Sequence, residues 1–138
     1  MLLRKMNVED KKYVMKRNKD ITEKVFAKLV DSNTGFMIIE NNEVVGFLDY
    51  SLLWNKMPFL NFLYISEKAR RQGYGSLGVL CWETEMKNLG YKRVIVSTRA
   101  DEMSQNLFRK LNYLDCGSIV FNEQPYNQPI EIFLTKTL

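Results

Sequence analysis

Two hydrophobic periodicities alternate along this chain and predict an α/β fold. Runs rich in β-branched, aromatic and aliphatic residues predict seven strands, at 2–6, 35–40, 44–53, 59–65, 94–96, 114–121 and 130–134. Apolar residues at helical spacing predict four helices, at 7–18, from residue 20 onward, at 76–90 and at 102–111. The predicted order is strand, helix, helix, strand, strand, strand, helix, strand, helix, strand, strand.

Polar residues mark several of the predicted boundaries. Asn7 is typical of a helix cap, with Asp10 in the first turn. The spacing Asp20-x-x-Glu23 predicts a capping box for the second helix. Asn41-Asn42 is a favourable hairpin turn, so the middle of the sheet is expected to be antiparallel.

The third predicted helix connects two strands by a crossover. Its predicted apolar side consists of Leu77, Leu80, Cys81 and Leu89, and Gly90 ends it. A strand-helix-strand crossover is parallel and right-handed. The loop before this helix therefore lies at the carboxyl end of a strand, where open α/β sheets bind ligands.

That loop has the composition of an anion-binding site. The 70–76 segment reads Arg-Arg-Gln-Gly-Tyr-Gly-Ser and leads directly into the helix. Backbone N–H groups of a glycine-containing turn and of a helix start converge on one point, where the helix dipole favours negative charge. Gly73 and Gly75 would allow a positive φ or a close approach of the anion to the backbone. The alternative is an ordinary turn with solvated arginines.

Composition favours one compact domain over residues 1–138. The 138 residues are 46% hydrophobic and 26% charged, which excludes a disordered chain. No apolar run approaches the ~20 residues that span a bilayer, and the first residues lack a signal-peptide core. We therefore expect a cytoplasmic protein without membrane contact, as a monomer or a homodimer.

Charge and metal-ligand content restrict the chemistry further. The net charge of +4 is modest and its cations are scattered among acids, which argues against a nucleic-acid surface but suits an anionic ligand. Cys81 and Cys116 lack metal-ligand spacing, and the chain has no histidine. A zinc site or a histidine-based triad is therefore not expected.

Two motifs give the chain a family resemblance. Leu63-Tyr64-Ile65, followed by Arg70-x-x-Gly73-x-Gly75, resembles the Gln/Arg-x-x-Gly-x-Gly/Ala signature of the GNAT acyltransferases. Downstream, Ser104-x-x-Leu107-Phe108-x-Lys110-x-Asn112-Tyr113 is similar to the family's short helix Ala-x-x-Phe-Tyr-x-Lys-x-Gly-Phe. The resemblance implies a GNAT-like single domain with a mixed, mostly antiparallel sheet flanked by helices.

The resemblance also implies acetyl-CoA as the acyl donor, without a metal. The strand before the loop would pair with the pantetheine arm, and the loop would hold the pyrophosphate. The implied cofactor-binding residues are Leu63, Tyr64, Ile65, Arg70, Arg71, Gln72, Gly73, Tyr74, Gly75, Ser76, Asp101, Phe108 and Lys110. Arg70 has a second interpretation, as a surface side chain that binds a nearby carbonyl. Asp101 has one too, as a cap of the following helix.

The catalytic residues depart from the family pattern. The family's acid is a tyrosine, and Phe108 occupies its place without a proton to donate. The central strand offers Asn61 where relatives often carry a glutamate. Asp49, one strand earlier, is the nearest candidate base, although a solvent-facing position is the more ordinary expectation for a carboxylate. Attack through a water that Asn61 orients is the alternative.

The acceptor is barely encoded in the sequence. An aromatic acceptor pocket would be lined by Tyr50, Trp54, Met57 and Pro125-Tyr126. The alternative is that these side chains simply cover the edge of the core. We expect transfer of an acetyl group to a primary amine of a small molecule or a protein by direct attack. A non-catalytic acyl-CoA-binding module is the second hypothesis, and an interaction protein that binds another phosphate is a third.

Overall fold

A computed structural model describes all 138 residues and has the predicted element order. Its elements are β1 (Leu2–Lys5), α1 (Lys11–Arg17), α2 (Glu23–Asp31), β2 (Gly35–Glu40), β3 (Glu43–Leu53), β4 (Met57–Ile65), α3 (Tyr74–Asn88), β5 (Arg93–Arg99), α4 (Ser104–Lys110), β6 (Leu114–Ile119) and β7 (Glu131–Thr137). Short 3-10 turns precede α1 and α3. None of the helices has the length and apolar character that crossing a membrane requires.

The seven strands form one mixed sheet in the order β1-β2-β3-β4-β5-β7-β6. The pairs β1-β2, β2-β3, β5-β7 and β6-β7 are antiparallel. The pair β4-β5 is parallel, which confirms the crossover through α3. The predicted fold class, a mostly antiparallel mixed sheet with flanking helices, is therefore confirmed.

The contacts of the chain divide it into two compact units. Unit 1 comprises Met1–Ser51 and Asn61–Trp82, and unit 2 comprises Leu52–Leu60 and Glu83–Leu138. Unit 1 has its own hydrophobic core, built from α1, α2 and the neighbouring strands: Met6, Val14, Ile21, Phe26, Leu29, Met37 and Phe47. Unit 2 buries residues of β5, α4 and β7, including Val94, Val96, Phe108 and Leu134. A single domain over 1–138 remains a prediction.

The helix caps of unit 1 follow local sequence, with one correction. The Asn7 side chain accepts the Glu9 N–H, and the Asp10 carboxylate accepts the Asn7 N–H at 2.8 Å, which makes a capping box. The cap of α2 is Thr22, whose hydroxyl accepts the Val25 N–H at 3.2 Å. The predicted box at Asp20 is therefore wrong, because Thr22 lies directly before the first helical residue.

The apolar side predicted for α3 is also wrong. Leu77, Leu80 and Leu89 are exposed and Cys81 is only half-buried, whereas the buried residues of this helix are Gly78, Val79, Trp82, Glu83 and Met86. Apolar residues occur around much of the helix, so spacing alone supports two stripes. The stripe with the tryptophan is the one that the fold buries.

Candidate functional site

The carboxyl-terminal half of β4 has a backbone edge beyond the parallel ladder. β4 pairs with β5 at Phe59↔Ile95 and Leu60↔Val96. Leu63, Tyr64 and Ile65, the residues predicted to pair with pantetheine, lie beyond those two register pairs. On the β3 side, a Cβ at Gly46 would lie 2.0 Å from the Tyr64 carbonyl oxygen. Glycine at position 46 therefore lets β3 and β4 approach closely at this point.

The 70–76 segment turns sharply between a 3-10 turn and α3. Arg71 has φ 62° and Gly73 has φ 82°, both in the left-handed region, and α3 begins at Tyr74. The Leu77 N–H donates to the Gly73 carbonyl at 3.0 Å, which closes the first turn. The predicted need for glycine at position 73 is met by its backbone conformation, since only glycine adopts it without strain.

Backbone donors of this segment have no partner inside the chain. The hydrogen bonds of the chain leave the six amide N–H groups of residues 71–76 unpaired. Nothing lies within 4 Å of the position that a Cβ would take at Gly73. Successive free N–H groups at the start of a 15-residue helix fit an anionic ligand such as a pyrophosphate. The side chains of the chain form no cluster of three or more potential metal ligands.

Two side chains of this segment donate hydrogen bonds to backbone carbonyls that precede it. The Arg70 Nε donates to the Ile65 carbonyl at 2.9 Å, and its guanidinium lies 5.7 Å from the Tyr64 ring centroid. Arg70 therefore follows its second interpretation, in which the side chain binds a nearby carbonyl. Gln72 reaches the Lys68 carbonyl at 3.4 Å. The first contact ties the segment to the end of β4, and the second ties it to the 3-10 turn that follows β4.

Asp49 is a buried carboxylate, not a solvent-facing one. It lies on β3 opposite Gly35 of β2 and is only 5% exposed. Its Oδ2 atom has no hydrogen-bond partner. Burial raises the pKa of Asp49 to about 6, and the neighbouring Asn61 amide offsets part of this effect. The ordinary expectation of an exposed strand residue is therefore wrong.

Asn61 connects the buried carboxylate to the surface. It lies on β4, is exposed, and accepts a hydrogen bond from the Ser51 hydroxyl at 3.2 Å. Its side chain also interacts with that of Asp49. The two residues proposed from the sequence for catalysis are thus neighbours. A carboxyl with a pKa near neutrality can take up a proton at physiological pH.

The second motif lies in unit 2 and is anchored by a buried polar network. Phe108 is 6% exposed, and its ring lies edge-on to Tyr113 at 5.3 Å. The Tyr113 hydroxyl donates to Glu83 Oε2 at 2.9 Å, and Lys136 Nζ donates to Glu83 Oε1 at 2.7 Å. Burial, and then the Glu83 charge, raise the pKa of Tyr113 above its usual value. No local sequence pattern indicates this network, since Glu83 and Lys136 are 53 residues apart.

Two of the implied cofactor-binding residues, Asp101 and Lys110, occupy the surface of unit 2. Asp101 makes two hydrogen bonds with Arg99, at 2.9 and 3.2 Å, and Arg99 holds the pKa of Asp101 below its usual value. Asp101 does not cap α4, whose cap residue is Met103. Lys110 is exposed at the end of α4. Their contact with a nucleotide remains a prediction.

An apolar cavity in unit 2 contains part of the predicted aromatic pocket. Its volume is about 510 Å³, and Trp54 and Met57 line it together with residues of β5, β6 and β7. Trp54 is exposed and has φ 54°, a strained conformation for a large side chain. Tyr50 is buried in unit 1 against Phe36, and Tyr126 is not among the lining residues. Acceptor binding in this cavity remains a prediction.

One arginine of unit 1 that was not predicted as a site residue packs between two tyrosine rings. The Arg17 guanidinium lies 3.5 Å from the centre of the Tyr13 ring and 5.9 Å from that of Tyr64. Tyr13 and Arg17 are four residues apart on α1, a spacing that brings side chains together on a helix. That spacing is the sequence signal for the pair, whereas the contact with β4 depends on the fold.

Comparisons with known proteins identify a family and a shared fold. Residues 4–113 match the family model described as "Acetyltransferase (GNAT) family". No curated protein matches the sequence.

Solved structures share the fold at low sequence identity. A ribosomal-protein-alanine N-acetyltransferase from Brucella melitensis has a TM-score of 0.82 and 15% identity, with 100% of both chains covered. An N-acetyltransferase from Staphylococcus aureus has a TM-score of 0.79 and 18% identity, with 99% of this chain and 97% of that chain covered. A GNAT family acetyltransferase from Elizabethkingia anophelis with acetyl-CoA bound has a TM-score of 0.70 and 18% identity, covering 86% and 85%.

The family model covers most of the chain, and its match includes the strand, the loop and the helix described above. The chain therefore belongs to the acetyltransferase (GNAT) family of acyl-transferring enzymes.

Proposed function

We propose that this protein is an acetyl-CoA-dependent N-acetyltransferase that acetylates a primary amine of a small molecule or a protein in the cytoplasm. The observation that carries the proposal is the row of unpaired amide N–H groups over residues 71–76 at the start of α3. These donors follow a strand whose last residues lie beyond its ladder with β5. A long ligand with an amide-containing arm and a pyrophosphate matches both features.

Donor binding would be distributed over backbone and side chains of unit 1. Leu63 and Ile65 would offer backbone groups to the pantetheine arm, although the Ile65 carbonyl also accepts the Arg70 hydrogen bond. Amide groups of residues 71–76 would bind the pyrophosphate, and the exposed Arg71 would add a cation. Acetyl-CoA, when bound, supplies an activated acetyl group as a thioester.

Asp49 is our candidate for the base. A protonated amine is not nucleophilic, so its proton must leave before or during attack on the acetyl carbonyl. Asp49 would take that proton through a water that Asn61 orients, because the carboxylate itself is buried. The new C–N bond forms, the C–S bond breaks, and the sulfur leaves with the bonding electrons.

The leaving group would depart without an acid from position 108. Phe108 has no proton to donate, and no titratable side chain replaces it at that position. A thiol has an ordinary pKa of about 8.5, so a thiolate is a tolerable leaving group near neutral pH. The missing acid would lower the rate without abolishing transfer.

A non-catalytic acyl-CoA-binding protein is the second candidate. Phe108 in place of the family tyrosine and Asn61 in place of the frequent glutamate favour it. Both candidates share the donor site, and they differ in whether thioester is consumed.

The experiment measures two quantities, the melting temperature of the protein with and without acetyl-CoA, and the release of thiol from acetyl-CoA. Acetyl-CoA should raise the melting temperature, since a ligand at a hundredfold excess over Kd stabilises the native state by about 2.7 kcal/mol. Thiol release on a panel of primary amines should then exceed that of acetyl-CoA alone. Binding without amine-dependent release supports the second candidate. A folded protein that binds neither acetyl-CoA nor CoA contradicts both.

A further inference from the structure

The Arg17 guanidinium on α1 has a buried N–H donor without a partner in unit 1. Arg17 donates one hydrogen bond, from Nη1 to the Tyr13 carbonyl at 3.1 Å, and stacks over the Tyr13 ring. The Arg17 Nε is buried and has no hydrogen-bond partner, and the buried Tyr13 hydroxyl lies beside the Ser66 side chain. A buried donor without a partner destabilises the fold, more so when it is charged. Such a cost is consistent with a donor kept for a ligand.

A cavity opens beside the Arg17 side chain. Its volume is about 450 Å³, and its lining consists of Arg17, Tyr64, Ser66, Glu67 and Lys68. Two cations, one carboxylate and two hydroxyl-bearing side chains therefore line it. Glu67 and Lys68 are exposed, whereas Arg17 is half-buried and held in place by the ring of Tyr13. The fixed group of the cavity is thus the guanidinium.

A fixed guanidinium with free N–H donors matches an oxyanion. Its planar arrangement of donors pairs with the two oxygens of a carboxylate or with a phosphate. Burial raises the pKa of Tyr13, so its hydroxyl beside Ser66 stays protonated. Ser66 and Lys68 can add donors from the loop that leads toward the 70–76 segment.

We propose that this cavity binds an anionic group, a carboxylate or a phosphate, of the acceptor, so that the acceptor is an amine that also bears negative charge. The proposal rests on the proposed function, since it assigns the acceptor class of the same enzyme. It makes Arg17 a specificity-determining residue. Neutral or purely cationic amines would lack the group that the cavity recognises.

Direct observation of the Arg17 side chain tests the site without any need for activity. In ¹H–¹⁵N spectra of the CoA-saturated protein, the Arg17 Nε–H resonance should shift saturably on titration with succinate or inorganic phosphate. Glycinamide, which has no anionic group, should leave it in place. Arg17→Gln should abolish anion binding, and Lys16→Gln, an exposed neighbour on α1, should retain it. No saturable shift up to tens of millimolar anion would overturn the proposal.

Two further measurements distinguish an anion carried by the acceptor from the 3′-phosphate of the donor. If the acceptor carries it, Arg17→Gln should lower kcat/KM for β-alanine about tenfold or more, and leave β-alaninamide unaffected. CoA and dephospho-CoA should bind the variant as they bind the wild type. A selective loss of CoA affinity would assign the cavity to the 3′-phosphate of the donor and overturn the acceptor assignment. Normal CoA binding with no Arg17 shift would refute this inference while leaving the proposed function intact.

Discussion

Tyr113 donates its phenolic hydrogen to Glu83 across 2.9 Å inside unit 2, although the two residues are 30 positions apart in the sequence. Lys136 binds the other carboxylate oxygen and lies 5.6 Å from the centre of the Tyr113 ring. The last residue of the second family-like motif is therefore a structural one. It fixes the end of α4 through a buried carboxylate that has a donor for each oxygen.

Loss of either donor should destabilise the fold without altering the chemistry. Tyr113→Phe should cost about 1 to 3 kcal/mol, because Glu83 loses a buried hydrogen bond. Lys136→Met should cost more, about 3 to 5 kcal/mol, since it leaves a buried charge without its cation. Urea denaturation measures both. Lys87→Met, an exposed change on α3, is the control and should stay within about 0.5 kcal/mol. A near-zero cost for Lys136→Met would contradict this reading of the network.

Asp49→Asn should separate activity from stability. If Asp49 is the base, amine-dependent kcat/KM of the wild type should rise with pH through about 6 and then level off, because the carboxylate must be ionised. The variant should lose ~10² to 10⁴-fold of the plateau rate. Thiol release as a function of pH measures this. A variant with the wild-type rate and profile would rule out Asp49.

The same substitution should stabilise the protein near neutral pH. The folded-state pKa of Asp49 is raised, so the stability contribution of this residue is full below its unfolded pKa and is lost as pH rises to about 6. Removing the buried charge should therefore raise the free energy of unfolding by up to about 3 kcal/mol at pH 7. Little should be gained below pH ~4, where the carboxyl is neutral in both states. Thermal denaturation at both pH values checks the sign.

Gly75→Val should weaken donor binding far more than it weakens the fold. Position 75 lies in the first turn of α3, among the unpaired N–H groups, where a β-branched side chain blocks approach to the backbone. Titration calorimetry with CoA measures the loss. Lys56→Ala, in the exposed turn before β4, should bind CoA as the wild type does. Equal affinities for both variants would mean that the pyrophosphate site lies elsewhere.

Phe108→Tyr tests whether position 108 faces the thioester or the core. The ring is buried and packed on Tyr113, so an added hydroxyl without a partner should cost about 1 to 3 kcal/mol of stability. Turnover should then stay unchanged or fall. If the hydroxyl instead reaches the departing sulfur, kcat should rise about tenfold or more at little cost in stability. Turnover and melting temperature of the same variant distinguish these outcomes.

Local chemistry made much of the fold predictable from the sequence. Asn41 and Asn42 both adopt positive φ, at 51° and 64°, as their turn between β2 and β3 requires. Asn7 and Asp10 form the capping box at the start of the first helical segment. Gly73 has the left-handed conformation expected in the loop before α3. Each of these features depends on residues within a few positions of one another, so the sequence specifies it directly.

Other features depend on which residues the fold brings together. The helix pattern of α3 supported two apolar stripes, and only packing selected the one with Trp82. As a charged residue on a strand, Asp49 was expected to be exposed. Packing on the sheet buries it, and this burial raises its pKa. The contact of Arg17 with Tyr64 and the pairing of Glu83 with Lys136 join distant segments. The sequence by itself therefore determined the order of elements and the glycine-containing loop before α3, because turns, caps and periodicity act locally. Only the tertiary structure decided which charges are buried, because desolvation depends on every element that packs around them.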